Sequence, residues 1–540
     1  MNSMRNDAPQ QEQVRRDHVW RPRRSVWRLV LLAVLWFAGA MMVACVPDLM
    51  NPPRLEQGTT PQPVEQEPPE EPLRLPAPTP TGPAAAQPNA GAESASYPTV
   101  TFWINRTSPQ YEQALREMID EFTASHQVHV ELVTIAPDTL PDLVGTAAVS
   151  PSLALPDLVM LPLEYAVGWV ERDILDPTAA EELVQALGPE TFDPQALELV
   201  TVQGQVSAVP SDGWQQLLIY RQDWFEANGL PPPQDFNTML RASEVISDRA
   251  NLIYSFNMPT ESSLPATTRA FEQMAIANGC RLIDEKGELQ ILEGVCRDAL
   301  EFYRFICNTY CPPGVQTEVS ALNAYLEGRS GLIIAPPGVL PALASLDDTY
   351  RPSCAQCETP TYLAENSGIV TTIAGRQPGA SAQNLGEIAY LGVTTNADRE
   401  PALALARFWF EEGYLSWLAV EPERKVPMRL GTPEEPQRFI DAWYDLPISD
   451  DGRTISDIFG REVAETLARD VVNSDRWGYK EGHGALVTTI YEQLTFSILL
   501  QELLSGYYDS ERAAIEGYRR LVDLIPDYAY YVDPEATPDE

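Results

Sequence analysis

QGQVSAVPSDGWQQLLIYRQDWFEANGLPPPQDFNTM, residues 203 to 239, is the stretch whose reading decides the fold. Gln203-Gly204-Gln205 is a tight-turn signal, and Val206-Ser207-Ala208-Val209 alternates apolar with small or polar residues as a half-buried strand does. Pro210 is expected to end that strand. Asp212-Gly213 introduces a second run, Leu217-Leu218-Ile219-Tyr220, apolar enough for burial on both faces. Asp223 is placed to cap a short helix, which Asn228-Gly229 closes and Pro231-Pro232-Pro233 cannot continue. Two strands therefore meet at a Pro/Gly/Trp corner, followed by a short helix and a rigid turn.

The order of these elements resembles the hallmark of the extracellular solute-binding proteins of bacterial ABC importers, in particular the family 1 sugar-binding, maltose-binding-protein-like lipoproteins. The counterparts are Gly204, Val209-Pro210, Tyr220-Arg221-Gln222-Asp223-Trp224-Phe225, Asn228-Gly229-Leu230 and Pro232-Pro233-Gln234-Asp235-Phe236. Arg221 departs from the family's usual Asn and Phe236 from its Trp, without disturbing the order. The resemblance implies an α/β fold of two lobes, the type II periplasmic-binding-protein architecture. Each lobe would be a mostly parallel sheet flanked by helices, joined to the other by hinge strands. It covers residues 100 to 428, with a helical extension beyond.

Upstream, residues 98 to 213 read as the start of a first lobe. Val100 to Ile104 is a strand, Ser108-Pro109 opens a helix, and Tyr111, Leu115, Met118, Ile119 and Phe122 recur along one helical face. Val128 to Ile135 follows as a second strand, giving a β-α-β unit with a right-handed crossover. Asn105-Arg106-Thr107 follows strand one, where ligands sit in such sheets. Leu155 to Leu161 is a further strand, ending at Glu164-Tyr165. Downstream, 214 to 392 reads as a second lobe, with helices over 267–278 and 297–309 and a helix–strand unit over 321–334. A return strand over 387–393 and a helix over 400–417 follow; the resemblance assigns that helix to the first lobe, so 393 to 450 is expected to join the first lobe and 451 to 530 the second. Hinge strands are expected near 213–218 and 389–394, with an acidic tail over 531–540.

The chain has 540 residues, 44% of them hydrophobic, with 37 Lys and Arg against 77 Asp and Glu. The first 44 residues hold seven of those bases and three of those acids; the remainder, with 30 bases and 74 acids, carries −44. Such a surface repels phosphate backbones, which argues against nucleic acid as a partner. The bases near the start flank a fifteen-residue apolar run, Leu29 to Val43, short for a membrane span and right for a signal-peptide core. It ends in Met42-Val43-Ala44-Cys45, which resembles a lipobox: residues 1–44 would be removed and Cys45 lipidated. Residues 45–97 are rich in Pro, Glu, Ala, Gln and Thr and read as a disordered tether. The expected location is the extracytoplasmic face of the cell membrane.

Six cysteines follow Cys45: Cys280, Cys296, Cys307, Cys311, Cys354 and Cys357. Their even number in an exported chain favours disulfides, Cys280 with Cys296 first, while Cys307 with Cys311 and Cys354 with Cys357 would close small loops. No metal site or cofactor is expected, and no HExxH, GxSxG or Walker-type phosphate loop occurs. Trp103, Tyr165, Trp214 and Trp477 fall at strand ends, at the lobe crossing or in a loop, off the regular apolar stripes. In the family resembled here, interlobe aromatics stack on sugar rings while carboxylates and amides take hydroxyls. That resemblance nominates Trp214, Trp103, Tyr165 and Trp477 for stacking, and Asp212, Asn105 and Glu164 as hydroxyl partners. The implied function is a monomeric, lipid-anchored receptor that captures a small solute, carbohydrate first, and delivers it to an ABC permease without catalysis. An exported carbohydrate-active enzyme and a binding protein feeding a sensor are the alternatives.

Only a thiol accepts the diacylglyceryl group in the lipoprotein pathway. Cys45→Ser is therefore expected to leave an unlipidated precursor, checked by membrane fractionation and intact mass. Processing and membrane retention like the wild type would contradict the lipobox.

Overall fold

A computed structural model describes residues 97–107, 109–377 and 380–534. Cys45, the signal segment, the tether and the last six residues lie outside the described residues. No described helix is long and apolar enough to cross a membrane.

Twelve strands form two main sheets and a hairpin. In chain order they are β1 (Thr99–Ile104), β2 (His129–Thr134), β3 (Leu158–Pro162), β4 (Thr201–Val202), β5 (Gln205–Val206), β6 (Val209–Gln215), β7 (Leu217–Arg221), β8 (Tyr254–Asn257), β9 (Ser330–Ala335), β10 (Ser367–Val370), β11 (Gly386–Val393) and β12 (Val426–Pro427). The first sheet has the order β12-β6-β11-β3-β1-β2 and the second β10-β7-β9-β8, while β4 and β5 pair alone. The expected β-α-β unit is present: β1 pairs in parallel with β2, with Thr99 opposite His129, across the helix Pro109–His126. The sheets are mixed, not mostly parallel. β11 runs antiparallel to both β3 and β6, and β7 antiparallel to both β9 and β10.

The deciding stretch folds as two successive strands in two different sheets. Gln203 and Gly204, with φ of 52° and 82°, make the tight turn joining β4 to β5. Pro210 does not end a strand as expected; it lies inside β6. The register shifts there, with Ala389 opposite Asp212 and Tyr390 opposite Pro210, so Ser211 forms a bulge that accommodates the missing N–H. All of β6 and β7 is buried. Asp223 does not cap the helix Gln222–Ala227. Its carboxylate instead accepts two hydrogen bonds from the fully buried guanidinium of Arg221, at 2.8 and 2.6 Å.

Gln216 is the crossing point. Its N–H donates to Leu385 O at 2.9 Å, so the outgoing and returning segments are bonded side by side. The return falls before Gly386, not at 389–394, because β11 pairs along its whole length within the first sheet. Trp214, Gln215 and residues 386–392, expected in the second lobe, therefore stand in the first sheet. The expected helix over 400–417 is broken into Arg399–Phe410 and Tyr414–Leu418, at Gly413, where a Cβ would come within 2.7 Å of Met118.

The C-terminal extension packs against both sheets' surroundings. The helix Arg461–Val472 lies on β6 and β11, and Gln215 Nε2 donates to Thr466 O at 3.4 Å. Asp470 accepts from Thr371 Oγ1 at 2.6 Å, and its carbonyl from Asn384, both on the returning segment. The helix Gly484–Glu492 sits on the helix Leu163–Glu171, close enough that Thr488 Oγ1 accepts from Gly168 N. Past Leu494, at φ 52°, the helix Thr495–Leu504 turns onto the helix Pro265–Ala277, through Ser497 and Thr268 at 2.8 Å.

Cys280 with Cys296 and Cys354 with Cys357 lie at disulfide distance, as expected. Cys307 and Cys311 do not: both are buried, unbonded thiols one turn apart at the end of the helix Gly294–Tyr310, where Cys311 N still donates to Cys307 O. Burial and the Cys311 thiol push the Cys307 thiol well above the ordinary range, away from the thiolate that oxidation requires. Thiol counting on denatured, unreduced protein lacking the lipidated cysteine should return two free thiols. None, or six, would contradict this arrangement.

Candidate functional site

Residues around the first sheet meet residues around the second through contacts that include Glu164 with Arg269 and Arg424 with Gly338. After β1 come Asn105 and Arg106, and after β3 the helix Leu163–Glu171 begins with Glu164 and Tyr165. From the second lobe, the helix Pro265–Ala277 brings Arg269, and the turn after β9 brings Pro337 and Gly338. Glu164 Oε1 accepts from Arg269 Nη1 at 3.1 Å, joining the two lobes directly, while Glu164 Oε2 is buried without a partner.

Behind this pair lies a network of charges with almost no exposure. Arg476, in the extension, donates from Nε to Glu272 at 3.0 Å, from Nη1 to Gly386 O at 3.1 Å, and from Nη2 to Tyr491 Oη at 3.2 Å. It also stands 3.5 Å from Glu387 on β11, and Tyr491 donates to Glu272 at 2.6 Å. Glu387 accepts from Leu163 N at 3.2 Å and lies 3.9 Å from Arg269. Burial, then the charge of Glu164, pushes the Glu387 carboxyl well above the carboxylate range, against the opposing pull of Arg476 and Arg269.

On the first-lobe side, Asp212 is a packing acceptor: its Oδ2 takes the Trp417 indole N–H at 2.6 Å and the Ser211 hydroxyl at 2.7 Å. Lys425 lies beneath, its ammonium 3.8 Å from the Trp417 ring centroid and 4.3 Å from that of Tyr111. It donates to Trp417 O at 2.9 Å and to Val420 O. Burial lowers its pKa to about 7.

Of the residues nominated from sequence, Asn105 follows β1 and Glu164 and Tyr165 open the helix after β3, and all three are buried. Asn105 Oδ1 accepts from Arg106 Nη1 at 2.9 Å. Tyr165 stacks on Trp169 at 5.2 Å between centroids. Trp214 is 9% exposed, opposite Glu387 in the β6–β11 ladder. Trp103 is buried in β1, and Trp477 packs on Phe271 and Phe496 with its indole N–H on Cys280 O at 3.0 Å. Arg269, Glu272, Glu387 and Arg476 were not singled out from sequence. One signal was readable: Glu387 is the lone charge in the otherwise apolar strand GEIAYLGV.

Two mixed sheets joined by paired crossing segments, with polar groups from both meeting in the gap, define a two-lobed binding fold. Solved structures with this fold include maltose-bound MalE3 of T. maritima, 19% identical with a TM-score of 0.60, covering 79% of this chain and 100% of that one. A sugar transporter from Arthrobacter chlorophenolicus A6 with bound laminaribiose is 14% identical with a TM-score of 0.61, covering 79% and 100%. The chain belongs to the bacterial extracellular solute-binding proteins, whose family pattern matches residues 117–427. It is also similar to the putative ABC transporter periplasmic-binding protein YcjN of Escherichia coli (strain K12), 24% identical over 254 residues. That alignment spans 46% of this chain and 58% of the relative.

The raised pKa of Glu387 sets a sign. A carboxyl that holds its proton in the folded state above its unfolded pKa favours the fold below the unfolded value, and that advantage is lost as pH rises to the folded one. Glu387→Gln mimics the protonated group. It should leave the melting temperature nearly unchanged at pH 5 and raise it at pH 8, read by calorimetry. A lower melting temperature for the variant at pH 8 would show that Glu387 is held as a carboxylate.

Proposed function

We propose that this chain is an extracytoplasmic solute receptor of an ABC importer, held to the membrane by a lipid on Cys45. It acts as a monomer, capturing a carbohydrate between its lobes and handing it to the permease. In this reading the first lobe comprises 98–215 and 386–492, and the second 217–385 with 493–530. The observation that carries it is the pairing of Gln216 with Leu385, because the outgoing and returning segments run side by side there and would supply an axis about which the sheets turn. Glu164 of one lobe and Arg269 of the other are bonded in this structure, so opening would part them and closure would restore the contact. Contacts available only when both lobes touch the solute would shift the population from open to closed. The names of the related proteins support both the importer and the sugar; no catalytic step is required.

Trp214, beside the crossing, is the residue whose role separates a binding site from hinge packing. In the binding reading, Trp214→Ala removes roughly 1–3 kcal/mol of affinity, the scale of burying one large side chain, or about ten- to a hundredfold. Sugars are screened by thermal shift, then affinity and ligand-free melting are measured for both proteins. Unchanged affinity with depressed melting would place Trp214 in the hinge. Absence of any response to sugars, with a clear response to another solute class, would retire the carbohydrate and leave the receptor.

A further inference from the structure

Arg424 ends the turn Pro422–Arg424 just before β12, in the first lobe, and reaches to the second-lobe turn after β9. A Cβ on Gly338 would come within 2.7 Å of its Nη1, so the glycine makes room for the guanidinium. Among the described residues the Arg424 side chain makes no hydrogen bond or ion pair, and its Nε is buried. The carboxylates that act on it from farther away are Glu421, Glu318 and Glu423. Glu421 is already engaged, accepting from Tyr111 Oη at 3.0 Å, and burial raises the Glu423 pKa to about 7. Arg424 is half-buried, and a guanidinium whose Nε is withdrawn from water with no bonded anion is unusual.

Arg106 is the other cation that acts on the hydroxyl of Tyr111. Its Cζ is 5.9 Å from the Tyr111 ring centroid, and the charges of both Arg106 and Arg424 act on the Tyr111 hydroxyl. Arg106 spends only Nη1, on the carbonyl and side-chain oxygens of Asn105, each at 2.9 Å, and its Nε too is buried without a partner. Arg269 repeats the pattern, with Nη1 on Glu164 and a buried, unpartnered Nε. The Nε–Nη2 edge of a guanidinium offers two parallel donors that match two oxygens of a carboxylate or phosphate. Neutral hydroxyls need no such edge, and the Tyr165 and Trp477 rings are already packed against other aromatics.

We infer that the captured solute is anionic, a sugar acid or sugar phosphate whose negative group docks on the free edges of Arg106 and Arg424. This rests on the interlobe-capture reading and names the solute class for it.

The test is calorimetric titration of the full mature chain with glucuronate, galacturonate and glucose 6-phosphate beside glucose, galactose and maltose. The carboxylate and phosphate arms distinguish the two anions. An acidic sugar should bind at least about tenfold more tightly than its neutral parent. Arg424→Gln and Arg106→Gln should each abolish that preference, while ligand-free Arg424→Gln melts no lower than wild type, because the side chain gives up no hydrogen bond or ion pair within the described residues. Acidic sugars binding no better than their parents would overturn the inference and leave the receptor standing. Failure of both classes would overturn both readings. A destabilised Arg424→Gln that keeps the preference would make Arg424 a structural strut and overturn its role here.

Discussion

Arg476 is the charge on which the arrangement of this molecule depends. It is fully buried, and its bonds reach the second-lobe helix at Glu272, the return strand at Gly386 and the extension at Tyr491. A buried guanidinium is tolerable only when its partners stay in place, and removing one costs about 3–5 kcal/mol. The three segments are far apart in sequence, so this constraint fixes how the extension docks on the crossing. Asp470, binding Thr371 and Asn384 on the same returning segment, adds to it.

That docking bears on motion. The helix Gly484–Glu492 rides on the first lobe, the helix Thr495–Leu504 on the second, and the chain passes between them at Gln493 and Leu494. Any rotation about Gln216 must therefore be absorbed at Leu494 as well. The Glu164–Arg269 ion pair links residues packed on the two sheets and would have to part if the sheets separate fully.

Much of the fold was legible in sequence because its signals are local. The apolar run Leu217–Tyr220, the Asn228-Gly229 stop and the one-face spacing from Tyr111 to Phe122 each specify an element within a few residues, and each element is present. Errors arose where a local rule met a long-range demand. Pro210 was read as a terminator, yet a bulge against Ala389–Tyr390 lets the strand continue through it. The return crossing was placed too late because the apolar pattern of Ile388 to Val393 does not say which sheet receives it. The site was least legible: Arg269, Glu387 and Arg476 meet from positions about a hundred residues apart, and no spacing records that. Asp212 looked like a ligand group beside a Trp, and its partner proved to be a different indole, that of Trp417.

The central claim is that the two lobes turn about the Gln216–Leu385 crossing and close on a solute. Small-angle X-ray scattering tests this most directly, on the mature chain alone and with a saturating sugar that raises its melting temperature. The account predicts a smaller radius of gyration and a shorter maximum dimension in the saturated sample. Identical scattering with and without a bound sugar would contradict it.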